Sequence, residues 1–441
     1  MIWIAVSEGN IGNIYSSSWK TSGAAFISVF FENYNNIASA LVSAVIWPTV
    51  FFPAFAPDLG ILLGISTYVV GYVAGLVGAF IFGQYGDTRG RRNVGAVALA
   101  TTAVGALGIS FTPSFASIGV SADVLLIIFR ILAGVGIGTM VGDGAWVVES
   151  AAKSKKRGMW GTTFGIGQSA SVVAPALILF FLLTRYPHAF VFTEGWRIIF
   201  YIGAVGVIAA LIIRYTITDT KIFDNLKKEN KIEKIPAIKV FKPFWRQIIV
   251  LMVVQASSAG AIFELASFTP GFLSSEGLDP VYAFLALGIA AAVGIVIKIG
   301  AGYLADTAGR INAMRVGMIT IVVFAIPYLY ILSLKPTLSL LIVDEVIMYG
   351  FASIQIAVVA SLFAEQFSSR YRYSGVLISY NFGQVLAGII TGVIAAAFLT
   401  IFHGATHAWP YIGALMLVLN AFGFLVLFFI KETYKQEIVP N

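Results

Sequence analysis

A few ionisable side chains interrupt apolar stretches of this chain. Arg130 and Lys298 stand among residues that are almost entirely apolar, and Glu32 lies in an apolar stretch that also carries asparagines. A charge at the centre of a lipid bilayer costs roughly 2.5–3.5 kcal/mol by insertion scales, so such residues persist where they meet a partner or a polar cavity. Their chemistry is the binding and release of protons, or the recognition of a charged solute.

Glu32 belongs to a stripe of polar residues. Ser28, Glu32, Asn35, Ser39 and Ser43 are separated by three or four residues, which places them on one face of a helix. We expect this face to line a central cavity, with hydrogen bonding between helices as the alternative.

Arg130 is the expected partner of Glu32. Counted from the ends of their apolar stretches, both residues approach the middle of the membrane, because a helix rises about 1.5 Å per residue. The sequence therefore predicts that they form a functional pair; a pair that only holds the fold is the alternative.

Polar residues also recur at helical spacing in the second half of the chain, where Glu264 follows Ser257 by seven residues. Lys298 either binds substrate or neutralises Glu264 or Asp344. The residues predicted to bind substrate or protons are Glu32, Asn35, Arg130, Asp143, Gln168, Glu264, Lys298, Asp344, Gln355, Asn381 and Gln384.

Signatures of catalysis are absent from the sequence. It contains no HExxH, GxSxG or GxxxxGK[ST] motif, no cysteine and only three histidines. Thiol catalysis, disulfides and zinc sites that use cysteine are excluded. We expect no enzymatic activity, no cofactor and no metal site.

The composition indicates that these residues lie in membrane helices. Hydrophobic residues make up 59% of the 441 residues and charged residues 11%, whereas soluble domains are about 25% charged. Only helices satisfy the backbone in lipid at this length, so we predict an all-α membrane protein with twelve spans. These lie near 23–50, 60–84, 93–112, 122–149, 158–184, 197–217, 247–273, 280–304, 312–334, 338–364, 373–401 and 408–430.

The basic residues indicate the orientation of the spans. They concentrate in the loops after the even-numbered spans and in the segment 214–246, which predicts that both termini are cytoplasmic. This asymmetry accounts for the net charge of +7, so no nucleic-acid partner is expected. The polar segment 218–246 is predicted to be a cytoplasmic linker between six-helix bundles at 22–217 and 247–432.

An internal repeat supports two related halves. GQYGDTRGR at 83–91 and GYLADTAGR at 302–310 match at an offset of 219 residues. Glycines allow a tight turn, and an aspartate can bind the N-terminus of a neighbouring helix. We predict a cytoplasmic gate made by Gly83, Asp87, Gly90, Arg91, Arg92, Asp306, Gly309 and Arg310.

The repeated motif resembles that of the major facilitator superfamily. FFENYN, RILAGVGIG, GWRIIFYIGA and RYRYSGVLISYNFGQ resemble its metabolite:proton symporter branch. The resemblance implies two pseudo-symmetric six-helix bundles around a midplane site. Two positions depart from the branch, because Asn35 and Met140 stand where it carries acids, and only Asp143 lies near the second. Those acids are natural proton carriers.

These observations predict a secondary active transporter in the cell membrane that works as a monomer by alternating access. The expected substrate is a small polar solute, an organic acid or a zwitterion, and the expected coupling ion is the proton. A sugar or drug transporter of the same fold and a non-transporting membrane sensor are the alternatives.

Overall fold

The computed structural model describes residues 2–215 and 233–436, with the backbone alone for residues 2–18, 275 and 405. Within these ranges the chain forms helices and no β-strand. The long helices are α1 Ile2–Ser43, α2 Pro57–Arg89, α3 Arg91–Phe111, α4 Ser121–Ser150, α5 Arg157–Arg185, α6 His188–Arg214, α7 Phe241–Ser274, α8 Val281–Thr307, α9 Arg310–Ser333, α10 Leu338–Glu365, α11 Arg372–Ile401 and α12 Thr406–Phe429.

The helices α2 to α12 are all long and apolar enough to cross a membrane. The remaining long helix, α1, buries most of its residues from Ala24 to Ser43 inside the bundle. The predicted all-α membrane architecture is confirmed. The first span ends earlier than the predicted residue 50. The helix α1 stops at Ser43, and Trp47–Val50 forms a separate helical turn. This turn contains Pro48, which has no backbone N–H with which to continue a preceding helix.

Most of the predicted linker lies outside the described residues, which resume at Glu233. From there Pro236–Lys239 forms one helical turn, and α7 begins at Phe241 rather than after residue 246. The backbone leaves helical geometry at Phe244 (φ −125°), so α7 starts with a bend.

Two helices of the second half contain π-helical turns, at Glu264–Phe268 in α7 and Gly388–Ile394 in α11. These two segments contact each other. Such wide turns are rare in proteins, and those that do occur are frequently found at functional sites.

The repeated motif forms a matching turn in each half. Gly90 separates α2 from α3 with φ 99°, and Gly309 separates α8 from α9 with φ 104°. L-residues avoid this backbone region and glycine does not. We call the end of the bundle that carries both turns the latch end.

Glycines bring α2 and α4 into close contact. A Cβ on Gly134 would lie 2.1 Å from the Gly71 carbonyl oxygen, and one on Gly138 would lie 2.3 Å from the Gly75 carbonyl oxygen. Small residues permit this approach of helix backbones in lipid. Gly134 and Gly138 of α4 are therefore packing residues.

We expect Gly138→Val to lower the melting temperature of the detergent-purified protein by several degrees and to reduce its yield. Overpacking costs about 1–3 kcal/mol even when side chains can move, and here the obstacle is backbone. Gly300→Val is the matched control, because nothing lies within 4 Å of a Cβ at Gly300. Equal melting temperatures for the two variants would contradict the packing argument.

Candidate functional site: a central cavity and a charged latch

A small cavity lies between the two halves. Its walls combine apolar residues with neutral hydrogen-bonding groups, and no charged side chain lines it among the described residues. The polar lining consists of Asn33, Tyr68, Tyr72, Gln168, Gln255, Tyr349, Tyr380 and Gln384. Its surface can hydrogen-bond a small polar solute.

Arg130 lies directly behind this surface on the side of the first half. Its guanidinium donates to Asn36 Oδ1 at 2.8 Å and to the Tyr68 carbonyl oxygen at 3.1 Å, and it lies 4.8 Å from the Tyr68 ring centroid. Asn36 in turn donates to the Tyr72 hydroxyl at 2.6 Å. The guanidinium Nη1 has no hydrogen-bond partner among the described residues.

Lys298 occupies a comparable position on the side of the second half. Its ammonium donates to the Ser169 hydroxyl and lies 5.4 Å from the Tyr349 ring centroid. Ser169 and Tyr349 share a hydrogen bond of 3.2 Å. Within the described residues Lys298 forms no ion pair, so it does not neutralise Glu264 or Asp344.

The predicted pair of Glu32 and Arg130 does not form. Arg130 binds Asn36 and Tyr68, whereas the Glu32 carboxylate is fully buried without a hydrogen-bond partner in the described part of the chain. The charges that act on Glu32 are Asp143 and Arg214. Matching depth in the membrane was not sufficient, because the two side chains leave their helices in different directions.

Arg214 is the first basic residue of the segment 214–246. It is buried at the end of α6, where its Nη1 lies 2.8 Å from the Asp143 carboxylate. It also donates to the backbone carbonyl oxygens of Arg91 and Arg92 at 3.1 and 3.2 Å. Arg214 is thus part of an internal charge cluster, within the predicted bundle 22–217.

The polar stripe of α1 is turned away from the cavity. Asn35, Ser39 and Ser43 donate to carbonyl oxygens of their own helix, so they need no polar cavity. The side chains that α1 contributes to the cavity are Asn33 and Ile37.

Of the remaining predicted binding residues, some line the cavity and others connect helices. Gln168 and Gln384 line the cavity, and both donate to the Tyr380 hydroxyl, at 3.1 and 3.2 Å. Asn381 donates to the Gly138 carbonyl oxygen at 2.9 Å, and Gln355 donates to Asn420 at 3.0 Å. Both are buried as connections between helices, and their contact with substrate stays a prediction.

At the latch end, Asp87 joins the two halves. Its carboxylate accepts hydrogen bonds from the backbone N–H groups of Tyr373 (3.2 Å) and Ser374 (2.8 Å), in the first turn of α11. The helix dipole favours a negative charge at this position. The expected contact between Asp87 and a helix N-terminus is present.

Asp306 makes the symmetry-related contact in the opposite direction. It accepts hydrogen bonds from the backbone N–H groups of Gly158 (2.7 Å) and Met159 (2.9 Å), in the first turn of α5. Each half therefore contributes one aspartate that binds a helix N-terminus of the other half. We call Asp87, Asp306 and their ionic neighbours the latch.

Two glutamates complete the latch, and sequence analysis missed both. Glu149 accepts two hydrogen bonds from Arg91 (2.5 and 2.9 Å) and one from Arg372 (2.7 Å). In the same way Glu365 pairs with Arg310 at 3.1 Å and Arg157 at 3.3 Å. The available signal was the position of each glutamate at the end of a span, a few residues before an arginine.

The described part of the linker docks beside this latch. Glu233 accepts a hydrogen bond from Lys239 at 2.7 Å and one from the Tyr371 hydroxyl at 3.2 Å. The hydrogen bond from the Lys239 ammonium holds the pKa of Glu233 below its usual value. Gln84 donates to the Lys234 carbonyl oxygen at 2.7 Å, which fixes the segment against α2.

Comparison with known proteins agrees with this architecture. The family model of the Major Facilitator Superfamily matches residues 34–381. The chain belongs to this superfamily. It is a membrane transporter by family, and the resemblance that the sequence motifs indicate is confirmed.

Named relatives cover nearly the whole chain. A putative metabolite transport protein of Haemophilus influenzae is 27% identical over 440 residues, with 96% of each chain covered. The shikimate transporter of Escherichia coli is 24% identical, covering 89% of this chain and 90% of the relative. The xylose transporter XylE of E. coli, in a partially occluded inward-open conformation, superposes with a TM-score of 0.74 at 14% identity, covering 96% and 99%.

We expect Asp87→Asn to weaken the latch while leaving expression largely intact. Removing a charge from a helix N-terminus costs about 1–2 kcal/mol where it is partly buried, a shift of roughly five- to thirtyfold towards an open latch. The chain has no cysteine, so a single Cys placed by Ala259→Cys reports access to the cavity. Its labelling by a polar maleimide from the latch end should accelerate several-fold, and transport should fall.

Asp58→Asn is the matched control, because Asp58 lies in the first turn of α2 at the opposite end. It should leave the labelling rate unchanged. Labelling of the Asp87→Asn protein at the rate of its parent, with normal transport, would remove the latch from the mechanism.

Proposed function

We propose that this chain is a proton-coupled secondary transporter of a small solute that carries a carboxylate, an organic acid or a zwitterion. Transport alternates access to the cavity between the two halves. The latch end faces the cytoplasm in this proposal, as the distribution of basic residues indicates.

The observation that carries the substrate class is Arg130. An arginine stays charged in a protein, and this one is buried behind the cavity without an acidic partner in the described residues and with one nitrogen unpaired. A buried charge without a partner is costly, so a solute carboxylate that reaches it restores the balance. Guanidinium and carboxylate also match in a two-point geometry.

Lys298 supports the same substrate class from the other half. Its only polar side-chain contact among the described residues is the hydroxyl of Ser169, across the boundary between the halves. A solute carboxylate placed between Arg130 and Lys298 attracts both, and so favours closure of the halves around it.

Relatives support a carboxylate as well. One of those aligned along most of the chain is named a shikimate transporter, and shikimate is a monocarboxylate with hydroxyl groups. The amide and tyrosine groups of the cavity lining suit such hydroxyl groups as hydrogen-bond partners.

A neutral sugar or polyol is the second candidate. The observation in its favour is the cavity surface itself, on which amides and tyrosines but no charged side chains are found in the described part of the chain. With such a substrate, Arg130 would serve only to position Tyr68 and Asn36.

We propose that a proton binds to Glu32 and that the resulting change in charge acts on the latch through Asp143, Arg214 and Arg91. A buried carboxyl without a hydrogen-bond donor is costly in its ionised form, so Glu32 is suited to carry a proton. Its charge acts on the ion pair of Asp143 and Arg214. Arg214 holds the carbonyl oxygens of Arg91 and Arg92, and Arg91 binds Glu149 in the latch.

The test of the substrate class is uptake into proteoliposomes of radiolabelled shikimate and acetate, their uncharged amides, betaine and xylose. We expect the acids to be taken up at least several-fold faster than the amides. Arg130→Gln should abolish this preference and Lys298→Met should reduce it. Arg185→Gln, at an exposed position of α5, is the control and should keep it. Equal uptake of acid and amide by the wild type would favour the neutral solute.

Proton coupling is tested separately through Glu32→Gln. This variant should still exchange labelled for unlabelled substrate across the membrane, because exchange needs no net proton movement. Accumulation driven by a pH gradient should be lost. Undiminished accumulation by the variant would exclude Glu32 as the proton carrier.

A further inference from the structure

Three carboxyl groups in the second half are buried without any ion pair among the described residues. Glu264 comes from the π-helical turn of α7, and Asp344 and Glu345 come from α10. The exposed fraction of each is 5% or less. Four of their carboxylate oxygens have no hydrogen-bond partner in the described part of the chain: both oxygens of Glu264, Oδ2 of Asp344 and Oε2 of Glu345.

A chain of hydroxyl groups connects the two helices. The Thr269 hydroxyl lies 3.2 Å from the backbone carbonyl oxygen of Glu264 and 2.6 Å from the Tyr328 hydroxyl, to which it can donate. Tyr328 donates to a carboxylate oxygen of Glu345 at 3.2 Å. Glu264 and Asp344 are also near enough to Tyr328 of α9 to interact with it electrostatically.

This group is separate from the proton carrier proposed above. Glu345 lies seven residues after the start of α10, about 10 Å from the end opposite the latch. Asp143, the neighbour of Glu32, lies seven residues before the end of α4, about 10 Å from the latch end. The two groups thus belong to different halves and lie towards different ends of the bundle.

We propose that Glu264, Asp344 and Glu345 form a second proton-binding site, so that each transport cycle carries more than one proton. A proton from water on one side forms an O–H bond with a carboxylate of this site, and that bond breaks to release the proton to water on the other side. The inference rests on the proposed transport of a carboxylate and adds a second coupling proton to it.

The arrangement favours a proton over a metal ion. The described residues contain no group of three or more acidic, histidine or cysteine side chains placed to hold a metal. Of the three carboxyls, Glu345 accepts a hydrogen bond from the Tyr328 hydroxyl, and a proton needs only one carboxylate oxygen.

The surrounding side chains do not neutralise the site. In the described part of the chain, Tyr328 of α9 and Tyr349 of α10 are the other titratable groups that interact with its carboxyls. Lys298 of α8 lies against the Tyr349 ring and donates to Ser169. Three ionised carboxylates here would be uncompensated in a medium where each is costly, and protons supply the compensation.

The second proton changes the charge that transport moves. A monocarboxylate anion carried with one proton moves no net charge, so its uptake does not respond to membrane potential. With two protons the cycle carries one positive charge inward, and a potential that is negative inside drives uptake. Glutamine or asparagine substitutions in the second site mimic the protonated state permanently and remove this response.

The first experiment follows the carbonyl stretch of protonated carboxyls by infrared difference spectroscopy while pH is varied, and it needs no transport substrate. We expect Glu264→Gln, Asp344→Asn and Glu345→Gln each to remove part of the pH-dependent band, and the triple variant to remove more. Glu194→Gln is the control, because the Glu194 side chain is 68% exposed. A band unchanged by all three single substitutions overturns the proposal.

The second experiment measures uptake of radiolabelled shikimate into proteoliposomes at fixed pH with an imposed potassium diffusion potential. Wild-type uptake should rise several-fold when the inside is negative, and Glu345→Gln should lose this rise while keeping uptake driven by a pH gradient. If Glu345→Gln does not fold, Glu264→Gln and Asp344→Asn carry the test. Wild-type uptake that ignores the potential, or uptake driven by a sodium gradient instead, overturns the second proton.

Failure of the proposed function gives a different result. If no carboxylate is transported, the infrared bands still decide whether these three carboxyls bind protons. If carboxylates are transported but the bands do not change in the variants, only the second site is wrong.

Discussion

Each aspartate of the repeated motif binds the first turn of a helix in the opposite half. Asp87 holds α11 and Asp306 holds α5, so the two halves are joined by the same interaction used twice. The aspartates are short and rigid, and they bind backbone N–H groups that cannot move without the whole helix. Closure at the latch end therefore acts directly on α2, α5, α10 and α11, four of the helices that line the cavity.

Charge compensation differs between the latch and the middle of the bundle. At the latch, Arg91 and Arg372 share Glu149, and Arg310 and Arg157 share Glu365. Near the cavity, Arg130 and Lys298 have no acidic partner in the described residues. Deeper in the first half, no described residue donates a hydrogen bond to Glu32. The paired charges of the latch can separate and meet again as the contact opens and closes in water. The unpaired charges in the dry interior can be balanced by the substrate and by protons when these bind.

The cluster of Asp143 and Arg214 lies between these two regions. Arg214 contacts the carboxylate on one side and the backbone at Arg91 on the other. Because one side chain serves both, a change in the local charge is expected to act on the turn that carries the latch. This connection gives the proposed proton carrier a physical route to the gate.

The sequence alone determined the helical membrane fold, the repeat and the identity of the latch aspartates. These follow from local properties: the length of apolar stretches, the distribution of lysine and arginine, and a motif repeated with its glycines. Only the tertiary structure decided which charges meet. Glu32 and Arg130 have similar depth but face different neighbours, and Arg214 turns inward from the end of α6. Helix rotation and packing set side-chain direction, and spacing along one helix gives no information about the face that its neighbour presents.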